Sequence, residues 1–134
     1  MTITKMAFFV TNAATADDAC DVGIYSLSGT VLNLLGSSGS TTGRLNSTGL
    51  KTLNLLAPAA LVAGQVYYIA IACGALGGSA AGLAATNANP FLSTVFGSSV
   101  PQIEQSFNSA NFPLAASAAA SGPITSAPIL ALLQ

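Results

Sequence analysis

The chain has no histidine and no tryptophan, two cysteines, and a charge set small enough to name in full: Lys5, Arg44 and Lys51 against Asp17, Asp18, Asp21 and Glu104, a formal net charge of −1. Each shortage excludes something. A Ser or Cys nucleophile ordinarily needs a base to take its proton, and without histidine the usual arrangement cannot be built. Three scattered cations cannot neutralise a run of phosphates, so nucleic acid is not an expected partner. Two thiols with no imidazole fall short of the four ligands of a closed structural zinc site. Without tryptophan, any stacking on a sugar would fall to Tyr25, Tyr67, Tyr68 and six phenylalanines.

The carboxylates offer little chemistry in their place. Asp17, Asp18 and Asp21 fall in one turn region and read as a solvated loop rather than an acid/base pair with Glu104. They also supply oxygens of the kind calcium takes, but without the ordered spacing of a calcium loop. The glycines at 74, 77 and 78 lack the helix and acidic partner of a dinucleotide cradle. The expectation is a protein that is not an enzyme and has no cofactor and no resident metal.

What is abundant is apolar surface. Hydrophobic residues make up 51% of the chain and charged ones 5%, where an ordinary soluble domain carries about 25% charged. Mean hydropathy is +0.66. With so few charges to keep copies apart, a homo-oligomer or a larger assembly is the economical reading. The competing one is a monomer kept soluble by Ser, Thr, Asn and Gly. The 134 residues suit one domain, 1–134, with a single core.

Periodicity points to strands. TITKMAFFV alternates, with Met6, Phe8 and Val10 on one face and Lys5, Ala7 and Phe9 on the other. CDVGIYSL places Cys20, Val22 and Ile24 opposite Asp21, Gly23 and Tyr25, and Ser28-Gly29 turns it into TVLNLLG. The stretch 37–48 is a polar surface loop carrying Arg44. LKTLNLL is a strand that Pro58-Ala59 interrupts, and LVAGQ turns the chain into VYYIAIAC, rich in β-branched and aromatic residues. Tyr67 and Tyr68 take opposite faces, so at most one points outward. GALGGSAAGLAAT reads as a bend and a weak strand.

Prolines at 90, 101, 113, 123 and 128 forbid a long helix in the Ala/Pro-rich C-terminal third, 87–134. There FLSTVFG, IEQSFN and PILALL read as short strands, and NFPLAASAAASGPITSA as extended surface chain. About seven to nine short strands with turns between them predict an all-β fold, an antiparallel, jelly-roll-like β-sandwich. Cys20 and Cys73 both sit in apolar runs and are expected as buried, reduced thiols; a bridge would need their strands to pair.

A membrane span is the main rival, since no charge occurs from Leu53 to Thr86. Yet every window of roughly 20 residues, the length a spanning helix needs, is broken by proline or glycine. Alternation also continues through it, and no basic cluster flanks it. Membrane insertion is not expected. Nor is a cleavable signal peptide, because MAFFV runs straight into TNAATADDA.

Taken in order, VGIYSLSGTVL, STGLKTLNL and LVAGQVYYIAIA resemble a β-sandwich domain of bacteriophage virion proteins found in tail fibres, head fibres and related appendages. The matching residues are Gly23, Ile24 and Tyr25; Thr48, Gly49 and Lys51; and Leu61, Gly64, Tyr67 and Tyr68. TITKMAFFVTNAA and PILALL resemble the first and closing strands, and the likeness lies mainly in residues 1 to 73. The resemblance implies a virion-surface domain, commonly trimeric, that decorates the particle or contacts the host. Its partners would be other virion proteins and a host cell-surface glycan. A carbohydrate-binding or adhesin-type module outside a virion stands as the alternative. Contact loops are expected at 12–19, with Asp17 and Asp18, and at 37–48, with Arg44. Phe91, Phe96, Phe107 and Phe112 are expected to line a groove or a contact between subunits.

Overall fold

The computed structural model describes residues 1–15, 19–74, 82–83, 102–108, 112–119 and 131–133. Among these the chain is all-β, without a helix, and its strands run β1 (Thr2–Asn12), β2 (Cys20–Ser28), β3 (Val31–Ser37), β4 (Gly49–Ala60), β5 (Val66–Cys73), β6 (Gly82–Leu83), β7 (Gln102–Asn108), β8 (Ser117–Ala119) and β9 (Ala131–Leu133). One sheet has the order β4-β1-β6, with β9 also paired to β1; the other has the order β7-β5-β2-β3-β8. All pairs are antiparallel except β5 with β7, which is parallel.

The period-two pattern explains which side chains meet. Met6, Phe8 and Val10 of β1 join Val22 and Ile24 of β2, Leu53 of β4, and Tyr67 and Ile69 of β5 in one buried cluster drawn from both sheets. Removing an Ile or Phe side chain of this kind from water contributes about 1.5–3 kcal/mol. The hairpin from β2 to β3 turns at Gly29, whose φ of 61° lies in the left-handed region that favours glycine.

Pro58 does not end its strand, contrary to the sequence-based expectation, and β4 runs on to Ala60. The physical reason is a bulge on an edge strand. Lys5 pairs with Asn54 and Ile3 with Ala59, so residues 55 to 58 stand against Thr4 alone. Proline has no N–H to give to a ladder, and it is tolerated at an edge or bulge, where none is needed. The bulge leans over β3: a Cβ at Gly36 would lie 3.1 Å from the Ala57 carbonyl oxygen and 3.3 Å from Ala59 Cβ.

Candidate recognition surface

Strand directions bring the two expected contact loops to the same end of the sheets. The 12–19 segment leaves β1 and enters β2, and the 37–48 segment leaves β3 and enters β4. Backbone bonds tie them together. Ala14 N–H donates to the Leu45 carbonyl at 2.8 Å, while Cys20 and Thr41 exchange N–H to carbonyl bonds at 2.9 and 3.0 Å. Leu45, the one large apolar residue in an otherwise polar loop, is buried in the shared core and anchors it from below. Arg44 beside it is exposed. Lys51 Nζ donates to Ser47 Oγ at 2.6 Å, which puts a second cation at the same end. Asp17 and Asp18 lie outside the described residues.

Asp21 does not belong to a solvated turn. It is the second residue of β2 and is 2% exposed, on the face of the sheet opposite the shared core. The burial comes from residues 112–119, which cross that outer face and then pair with β3. Asp21 Oδ2 accepts the Leu114 N–H at 3.2 Å, and Tyr25 Oη donates to the Ala115 carbonyl at 2.6 Å. Leu34 N–H donates to the Ala116 carbonyl at 2.9 Å. Ser38 Oγ accepts the Val22 N–H at 3.0 Å and lies 3.3 Å from Asp21 Oδ1 and 3.2 Å from the Gly39 carbonyl, so its single proton serves one of them. Burial, with the Asp21 charge as the lesser cause, pushes the Tyr25 phenol up to about 12.

Beneath Leu114 in this strap the sheet presents small residues at Gly23, Ala70 and Ala72. A Cβ at Gly23 would come within 2.7 Å of Leu114 Cδ1 and 2.9 Å of the Gly36 carbonyl oxygen. Leu114 therefore seats where β2 has no side chain, packed with Tyr25, Leu32, Ala70 and Ala72. Of the segment expected as extended surface chain, residues 112–119 are described; Ser117–Ala119 is a strand, but Leu114 is buried rather than on the surface. Leu114 was missed, as were Ser38 and Leu45. For the two leucines the signal in the sequence was a large apolar residue standing alone in a polar or alanine-rich stretch; Ser38 carried none.

Phe112 is half-buried against the same outer-face cluster, and Phe107 lies on β7 in register with Ala70. Phe91 and Phe96 lie outside the described residues. The expectation of reduced cysteines is overturned: Cys20 is disulfide-bonded. Cys73, the chain's other cysteine, stands directly opposite it in the β2–β5 ladder, a pairing that sequence spacing could not reveal.

Apolar side chains are exposed beside the loops, at Phe9 and Leu50, and also at the opposite end of the sheets. The β2–β3 turn, the loop 61–65 and Met1 gather there, the last through Met1 N to Leu61 O at 2.8 Å. Leu27, Val31 and Val62 are exposed at this end, Val62 by 62%. Among the described residues no helix is long and apolar enough to cross a membrane. Comparisons of the chain with protein-family models, with curated proteins and with solved structures find no match in any of the three.

Proposed function

We propose that this chain is a non-enzymatic, jelly-roll-like β-sandwich domain of the bacteriophage virion surface. It would be a head-fibre, decoration or tail-fibre module that works in particle assembly or host attachment. The observation that carries the reading is the pair of polar loops bonded side by side at one end of two sheets, with Arg44 exposed upon them. Loops held by a rigid scaffold are where passive recognition is ordinarily placed. The core drawn from both sheets supports the sandwich arrangement. The apolar residues at the far end, Leu27, Val31 and Val62, support self-association, because a chain with so few charges offers copies little repulsion. In this reading copies pack through that end as a trimer among other virion proteins, and the polar loops face a host-surface glycan.

The test is solution mass by light scattering on detergent-free protein, followed by binding to host cells. A trimer whose mass falls in Val62→Glu, and whose cell binding falls in Arg44→Ala, is the expected result. A monomer that binds glycan arrays without any preference for host cells would overturn the virion reading and favour a carbohydrate-binding module.

A further inference from the structure

The disulfide sits where the polar loops are hung, and this position gives it a role beyond holding two strands together. Cys20 opens β2 and Cys73 closes β5, both interior strands of their sheet. The Gly74 N–H donates to the Ala19 carbonyl at 2.9 Å, which makes Cys20 and Cys73 a non-hydrogen-bonded pair of the antiparallel ladder. Such pairs bring Cα atoms to about 4.5 Å, within the roughly 4.4–6.8 Å that a disulfide spans. The register continues from there to Ser26 opposite Tyr67. Backbone pairing alone therefore sets the two residues within bridging reach, and the fold does not depend on the bond to bring them together.

What the bond adds lies at the loop end. Cys20 carries both backbone bonds to Thr41, and Thr41 Oγ1 lies 3.5 Å from the Cys20 carbonyl. Ala19, just before it, holds Gly74, and Ala14 holds Leu45. An antiparallel ladder frays from its last pair, and fraying here would release Thr41 and Gly74 together. We infer that the Cys20–Cys73 pair is a redox-operated fastener of the recognition loops, open as thiols in a reducing cytoplasm and closed after oxidation outside it.

A small-molecule disulfide such as oxidised glutathione is the oxidant. One cysteine thiolate attacks it, forming a mixed disulfide and expelling a glutathione thiolate. The second cysteine thiolate then attacks the protein sulfur and expels the other glutathione. Two protein thiols become one disulfide, and the two electrons and two protons leave in two reduced glutathiones. Once closed, the Cys20 sulfur is shielded, because Cys20 is 2% exposed and a small thiol reaches that sulfur only after the strand end opens.

The test compares oxidised and reduced wild type, with the double variant Cys20→Ser, Cys73→Ala as a form that cannot close. Circular dichroism reads the fold, and amide hydrogen exchange reads Thr41, Gly74 and Ala14. The expected result is the same β-type spectrum in both redox states, with these amides exchanging at least tenfold faster in the reduced protein and in the variant. Reduction by dithiothreitol is expected to be at least a hundredfold slower in buffer than in denaturant. Equal exchange in the two states would overturn the fastener, as would loss of the β spectrum on reduction. Equally fast reduction in buffer and in denaturant would overturn the shielding.

Discussion

Gly23→Ala, introduced beneath the strap, offers a direct check on how residues 112–119 are held. The new Cβ would sit 2.7 Å from Leu114 Cδ1, 2.9 Å from Leu34 Cδ1 and 2.9 Å from the Gly36 carbonyl oxygen. Two of these neighbours are ends of flexible side chains and one is backbone, so the site can give partly but not wholly. Overpacking of this kind costs about 1–3 kcal/mol. Leu114→Ala, which empties the same seat, costs about 2–5 kcal/mol by lost burial and the cavity it leaves.

The double variant separates the two effects. The added methyl occupies part of the space the leucine vacates, so the combined cost is expected to fall short of the sum by at least 0.5 kcal/mol, about the scatter of independent sites. The clash with the Gly36 carbonyl keeps it from vanishing. Urea unfolding curves on the four proteins, analysed at a common slope, supply the cycle. Additivity within that scatter, or a neutral Gly23→Ala, would refute the seating of Leu114 over Gly23.

Tyr25→Phe removes the donor to the Ala115 carbonyl and is expected to cost about 1–3 kcal/mol in thermal or urea unfolding. The Tyr25 proton is held more tightly in the folded chain, with its pKa raised from 10.0 to about 12. This contribution is therefore present below pH 10 and is lost as pH rises through 12; unfolding curves across that window should show the loss in wild type and not in Tyr25→Phe. Asp21→Ala leaves the Leu114 N–H and Ser38 without their carboxylate and should cost about 1–3 kcal/mol, with Asp21→Asn milder because it keeps one acceptor oxygen. Cleaving the disulfide frees a loop of roughly 54 residues and should lower stability by about 4 kcal/mol, measured as the difference between urea curves with and without reductant.

Legibility followed the range of the interaction. Met6, Phe8 and Val10, or Cys20, Val22 and Ile24, share a face because successive residues of any strand alternate, and no knowledge of partners is needed to see it. The β2–β3 turn was equally local, since Gly29 carries its own conformational signal. Charge poverty, the missing histidine and the polar character of the 37–48 loop are likewise properties of the chain itself. These determined the all-β class, and they set the expectations of polar loops at 12–19 and 37–48 and of no histidine-based chemistry.

Everything that depended on a distant partner was decided by the tertiary structure. Asp21 reads as a turn acid until Leu114, 93 residues away, donates to it and buries it. Pro58 reads as a stop until the register with Ile3 and Lys5 places it in a bulge that needs no N–H. Cys20 reads as a reduced core residue until β5 pairs beside β2 and sets Cys73 opposite. Alternation assigns a side chain to a face, but which strand lies alongside, and what covers the other face, is settled only when segments remote in sequence compete for the same surface.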